Sequence, residues 1–220
     1  MTNPAVGYDA VMVEVERGRV PLASFWREWS EKARERAAPG WVEMIEEMRR
    51  LQDTVAATAP PAETVASVTA LLAEARRRLS PHTVDDEGQI YGKLLHLPGR
   101  GQTLSPPLRL VEWSGTELVG ETTFGRFHCG SVDAAHGGAV ALVFDEALGR
   151  LADIGRSRSR TASLRVDFRS VTPVGRPLVV RARLLAEEGR KRRLHGALLD
   201  GDRLCAEAEG LFVGLRPGQH

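Results

Sequence analysis

Ala135-His136-Gly137-Gly138-Ala139-Val140-Ala141-Leu142-Val143-Phe144-Asp145-Glu146-Ala147-Leu148-Gly149 is the stretch on which the reading of this 220-residue chain turns. Apolar residues recur at Val140, Val143, Phe144, Ala147, Leu148, Leu151 and Ile154, the spacing of a helix with one broad apolar face suited to lying on a sheet. Gly137 and Gly138, directly behind His136, permit close approach to the first turn, where unpaired backbone N–H groups and the positive end of the helix dipole face outward. An oxyanion would be stabilised there. Asp145 and Glu146 are the carboxylates of this otherwise apolar segment, a setting in which a desolvated acid can be tuned as a base. A plain structural reading competes: His136 caps the helix, the glycines serve packing, and Asp145 meets solvent on a flank.

On either side of this helix the hydrophobic period is that of strands. Leu108 to Trp113 and Leu118 to Phe124, joined at Ser114-Gly115, read as a hairpin, and a loop from Gly125 to Ala135 leads into the helix. Thr161 to Val171, Leu178 to Ala186, Arg192 to Leu199 and Arg203 to Val213 follow, punctuated by Pro173-Val174-Gly175, Glu188-Gly189 and Asp200-Gly201. Two strands, one long helix and four strands is an order in which an antiparallel sheet can wrap a single helix.

Residues 24–79 read as three amphipathic helices. Ser24 is placed to cap the first, which carries Phe25, Trp26, Trp29 and Ala33 on one face and ends at Pro39-Gly40. Trp41, Met44, Ile45, Met48, Leu51 and Val55 mark the second. After Pro60-Pro61, Val65, Val68, Leu71, Leu72, Ala75 and Leu79 mark the third, with Arg76, Arg77 and Arg78 complementing its C-terminus. Such faces are expected to bury themselves on one another or on the following domain. Residues 80–106 are polar and rich in Pro and Gly, a linker or wrapping arm with one strand-like run from Ile90 to His96. His82 and His96 have no acidic or cysteine partners nearby. The expected division is therefore 1–80, a helical region; 81–104, the arm; and 105–220, the sheet-and-helix domain.

Composition narrows the function classes. A hydrophobic fraction of 42% supports an ordinary packed core, and a net charge of +1 with 27% charged residues gives no general attraction to nucleic acid or an anionic membrane. No basic start followed by an apolar run appears in Met1 to Val20, and no apolar stretch is long enough to span a bilayer. Cys129 and Cys205 stand far apart without metal-ligand neighbours, so neither a disulfide framework nor a metal site is expected, and a cytoplasmic setting fits. No Gly-x-Gly-x-x-Gly after a strand, Gly-x-Ser-x-Gly elbow or phosphate loop is present, and no cofactor is expected.

His136-Gly137-Gly138, an acid nine residues after the histidine and the close Asp145-Glu146-Ala147-Leu148-Gly149 resemble the helix signature of the hotdog-fold acyl-CoA thioesterases of the PaaI type. The likeness is greatest to the longer members related to the human mitochondrial acyl-CoA thioesterase and to actinobacterial homologues. It extends upstream to Pro106-Pro107-Leu108-Arg109-Leu110. Downstream it takes in Thr161-Ala162-Ser163-Leu164-Arg165-Val166-Asp167-Phe168, Val171-Thr172-Pro173-Val174-Gly175, Glu188-Gly189-Arg190-Lys191 and Ala206-Glu207-Ala208-Glu209-Gly210-Leu211-Phe212. About half the chain, residues 105–216, is covered.

The resemblance implies an α+β hotdog fold, an antiparallel sheet around one long helix, and hydrolysis of acyl-CoA. Asp145 would be the general base on water, or less readily a nucleophile. Gly138 N–H, with Gly137 N–H, would polarise the thioester carbonyl, and His136 would orient that turn or bond the same oxygen. Thr161 would position water or substrate, with an ordinary strand-start role as its alternative. Glu146 is the alternative base, since periodicity cannot choose between neighbours. Arg190 and Lys191, with Arg192, Arg193, Arg156, Arg158 and Arg160, are candidates for the coenzyme A phosphates or else solvated turns. Gly130 stands where some smaller members carry an asparagine, for which Ser131 or Asp133 would have to substitute.

Along one helix Gly138 and Asp145 lie roughly 10 Å apart, too far to serve one thioester. A two-fold partner closes that gap, as the family does, so a homodimer or dimer of dimers is expected. Three other readings remain: a non-hydrolytic acyl-CoA sensor, an interaction protein whose partner docks on Trp26, Trp29 and Trp41, and, least favoured, a dehydratase of the same fold. The helical region shows no chemistry of its own, and packing or covering an acyl pocket is its expected role.

Overall fold

The computed structural model describes residues 24–216, 218 and 219, and the side chains of Ser24, Phe25 and Trp26 lie outside the described residues together with Met1 to Val20. Helices α1 (Ser24–Arg36), α2 (Trp41–Ala56) and α3 (Ala62–Leu79) form as the apolar periodicity requires. Gly40 adopts φ 87° between the first two, a left-handed turn open to glycine at little cost. α1 and α2 bury Ala33 and Ile45 at 1% and 2% exposure. α3 departs from expectation: it buries no residue, and Leu71 stays 68% exposed. Among the described residues no element buries its stripe.

The run from Ile90 to His96 is not a strand. Gly92 adopts φ 77° in its middle and breaks the extension, and the segment closes into turns. Leu94 is buried at 1% exposure, and Tyr91 holds the arm together, its hydroxyl accepting from Thr103 N at 2.8 Å. Gly99, Arg100 and Gly101 all have positive φ, at 69°, 60° and 66°. α1 and α2 fasten this arm: Ser30 Oγ accepts from Leu95 N at 3.1 Å, and Arg49 donates to the carbonyls of Gln102 and Ser105.

Beyond the arm come β1 (Leu108–Trp113), β2 (Glu117–Thr123), a small hairpin of β3 (Cys129–Ser131) and β4 (Ala134–Ala135), and α4 (Gly137–Asp153). β5 (Ser159–Phe168), β6 (Pro177–Glu188), β7 (Lys191–Asp200) and β8 (Arg203–Gly214) complete the chain. β5 stops short of Val171 because Arg169 N and Ser170 N both turn to the carbonyl of Cys205. Six strands make one antiparallel sheet in the order β1-β2-β6-β7-β8-β5, with α4 packed on its face.

The expected stripe on α4 is the core. Val140, Val143, Phe144, Ala147, Leu148, Leu151 and Ile154 are all at most 1% exposed, against Phe124, Leu178, Val180, Leu194, Leu198 and Phe212. Each large side chain so buried contributes about 2 kcal/mol from removal of apolar surface from water. Gly196 and Gly210 let the helix settle, since a Cβ at either would stand within 3.0 Å of Phe144 or Leu148. Cys129 and Cys205 are free thiols, the first half-buried and the second buried.

Candidate active site

α4 starts at the β3–β4 hairpin. His136 is its N-cap with extended backbone, and Nδ1 accepts from Gly138 N at 2.9 Å. A capping side chain on the second helical N–H is the usual remedy for an unsatisfied helix start. Gly138 N–H is thus already engaged, whereas Gly137 N–H carries no hydrogen bond among the described residues. The hairpin crowds this turn: a Cβ on Gly130 would stand 2.8 Å from His136 Cα, so no side chain fits there. Ser131 and Asp133 are exposed, and neither borders the clefts at Asp145.

Two turns along α4, Asp145 is half-buried and accepts from Thr161 Oγ1 at 2.7 Å. The residues meet because β5 forms the sheet edge beside the helix. Glu146 has a different environment. Its side chain is 12% exposed, with Arg100 Nη1 at 3.0 Å on one oxygen and Arg150 Nε at 2.6 Å on the other. Burial raises its proton affinity, but the charges and hydrogen bonds of Arg150 and Arg100 together outweigh burial and hold the carboxyl below its usual range. A carboxylate with both oxygens bonded to arginines is a poor proton acceptor.

Asp145 lies between two clefts. One, of ≈ 160 Å³, is bordered by Asp145, Thr161, Arg100, Arg150, Arg160 and Phe212. The other, of ≈ 390 Å³, is bordered by Asp145, Leu142 and the N-terminal residues Trp29, Tyr91, Lys93 and Leu104. Lys93 is 6% exposed and lies over the Trp29 ring, its Nζ 4.9 Å from the ring centre.

No family model and no curated protein matches the chain. Among solved structures, the thioesterase superfamily protein RHA08564 superposes with a TM-score of 0.69 at 26% identity, covering 80% of this chain and 97% of its own. The chain has the hotdog fold of the thioesterase superfamily proteins it resembles. A match over four-fifths of the chain reaches beyond the hotdog half into the helical region. The E. coli PaaI protein from the phenylacetic acid degradation operon is 13% identical, with a TM-score of 0.46 over 48% of this chain and 82% of its own. Protein smu.793 from Streptococcus mutans UA159, bound to acetyl CoA, is also 13% identical, with a TM-score of 0.47 over 49% and 88%.

This hotdog-fold chain brings together two pairs named from sequence, Asp145 with Thr161 and His136 with Gly138. It does not bring Arg190 and Lys191 to them. Both sit at the β6–β7 hairpin, where Arg190 Nη1 donates to Gly214 O at 2.8 Å and Lys191 is exposed. Arg192, a phosphate candidate, is structural. At 3% exposure it donates to Ala152 O at 2.9 Å and Ser157 O at 2.7 Å, satisfying carbonyls at and beyond the end of α4. Arg160 alone of the basic candidates borders a cleft at Asp145. Sequence reasoning missed Arg100 and Arg150. Arg150 is four residues after Glu146, a legible helical ion pair, whereas nothing local marks Arg100. Among the described residues no cluster of His, Cys, Asp or Glu suits a metal ion, and no helix is long and apolar enough to cross a membrane.

Proposed function

We propose that this protein hydrolyses acyl-CoA thioesters to a free acid and coenzyme A, as its PaaI-type signature implies. The observation that carries the reading is the 2.7 Å bond from Thr161 to Asp145 Oδ1 at the meeting of two clefts. Thr161 ties down one carboxylate oxygen and leaves Oδ2 to hold a water. Asp145 takes a proton as that water attacks the thioester carbon, and the carbonyl oxygen becomes an oxyanion. Collapse breaks the C–S bond, and the proton on Asp145 passes to the departing sulfur. Glu146 stays ionised between its arginines and takes no part in proton transfer.

The start of α4 polarises the carbonyl. Gly137 N–H is open for this, and Gly138 N–H joins it when the His136 imidazole turns aside toward the substrate. Gly138 and Asp145 are still roughly 10 Å apart along one helix, so each site combines the helix start of one copy with Asp145 and Thr161 of another. A homodimer, or a dimer of dimers, is the working assembly. Arg160 at the cleft is the cation suited to a coenzyme A phosphate, and two free thiols suit a reducing cytoplasm.

The engagement of Gly138 N–H by His136 favours one second reading, an acyl-CoA binder that releases no thiol. A thiol-release assay over a panel of acyl-CoA esters decides between them. Turnover that depends on Asp145 supports the hydrolase, and tight binding without thiol release supports the sensor.

A further inference from the structure

We propose that Asp53, on the helical N-terminal region, is a positioning residue for the start of α4. The inference rests on the hydrolase reading above and adds to it a control on the carbonyl-polarising turn from a part of the chain expected to hold no chemistry. Asp53 lies in the last turn of α2, where a carboxylate faces the negative end of its own helix. That unfavourable placement is offset by a contact outside the helix: Phe127 N–H donates to Asp53 Oδ1 at 2.9 Å, across 74 residues of sequence.

From there a relay of hydrogen bonds, each donated by a backbone N–H, runs to the site. Phe127 belongs to a single helical turn, Arg126–His128, closed when Gly125 N–H donates to His128 Nδ1 at 3.2 Å. His128 O accepts from His136 N at 2.7 Å, and His136 Nδ1 accepts from Gly138 N at 2.9 Å. The relay thus fixes both the residue that caps α4 and the N–H groups beside it. Glycine at 125 is part of the device, since a Cβ there would collide with the Asp53 carboxylate. The imidazole of His128 is held through Nδ1, while its Nε2 is buried without a hydrogen-bond partner among the described residues. Burial holds it toward the neutral form that the Gly125 bond needs; the nearby Asp53 charge opposes this and Arg49 reinforces it.

Two variants separate positioning from bulk stability. Asp53→Ala removes the acceptor, and Asp53→Asn keeps an amide oxygen in its place. For the full chain, D53A should lower kcat on acyl-CoA roughly 10- to 100-fold, with KM changed by no more than about threefold, and D53N should restore most of kcat. Amide hydrogen exchange at Gly138, Ala139 and Val140 should quicken in D53A and not in D53N, while exchange in the centre of α4 stays slow. G125A, which forces the carboxylate aside, should behave as D53A does. A folded D53A protein with unchanged kcat and unchanged exchange at the helix start overturns the proposal, as does lowered stability with normal kcat in the folded fraction. If the wild-type chain releases no thiol from any acyl-CoA, the hydrolase reading fails, and the exchange measurement by itself still decides whether Asp53 holds the helix start.

Discussion

Thr161 Oγ1 donates to Asp145 Oδ1 at 2.7 Å, joining an edge strand to the middle of the central helix. Asp145→Asn should lower turnover by about two to four orders of magnitude while leaving the fold intact. Thr161→Val should cost roughly tenfold to a hundredfold in kcat. Because both act on one water, the double variant should be little worse than D145N alone, and a kinetic double-mutant cycle over the four proteins measures this. Full additivity would separate the two roles.

Glu146 differs from its neighbour in what removing it should do. Glu146→Gln leaves two largely buried guanidinium groups short of an anion, with an expected stability loss of about 3 kcal/mol by denaturant titration. Turnover per folded molecule should stay near wild type. A loss of kcat as deep as that of D145N would make Glu146 the base.

The same residue shapes acid stability. Its folded-state pKa lies below the ordinary value of 4.5, so the ionised form is favoured by folding. The stabilisation is complete above about pH 4.5 and is lost as pH falls from there through the lowered folded value. E146Q should flatten the wild-type stability curve in that window when melting temperature is followed against pH.

His128 predicts a separate step at milder pH. Burial is the chief cause of a folded pKa below 6.5; Asp53 opposes it and Arg49 adds to it. The unfolded chain therefore takes up a proton first, and stability declines as pH drops below about 6.5 until the folded imidazole itself protonates. Above pH 6.5 this residue contributes no slope. His128→Gln should remove the step, as seen in melting curves taken between pH 5 and 7.

Assembly can be tested by mixing. A side chain on Gly138 would meet His136 Nδ1 at 3.0 Å from its Cβ, so Gly138→Val should spoil the helix start without touching Asp145. Equal amounts of D145N and G138V chains, after verified subunit exchange, should regain about a quarter of wild-type activity, since half the dimers then own one intact site of two. No recovery would mean that each chain builds its site alone.

Much of the architecture was legible because it is written in nearest neighbours. The spacing of Val140, Val143, Phe144, Ala147 and Leu148 fixes which face of α4 is apolar, and strand alternation with turn residues at Ser114-Gly115, Glu188-Gly189 and Asp200-Gly201 fixes the hairpins. The misreadings arose where local composition and local geometry diverge. Ile90 to His96 is apolar enough for a strand, yet Gly92 takes a left-handed conformation that ends it. The stripe of α3 promises burial, but periodicity says only that a face is apolar, and among the described residues nothing buries it.

The sequence by itself determined a helix carrying His136, Gly137, Gly138 and Asp145 in a set order, because helical period and glycine placement depend on residues a few positions apart. What only the tertiary structure decided is the different condition of two adjacent acids. Arg100, 46 residues before Glu146, comes round on the arm to join Arg150 and hold that carboxylate ionised, while Thr161 bonds Asp145 across the sheet edge. Proton affinity is a sum over every charge and hydrogen bond within a few ångströms. Chain closure brings those groups together from distant parts of the sequence, and the reach of Asp53 to Phe127 has the same origin.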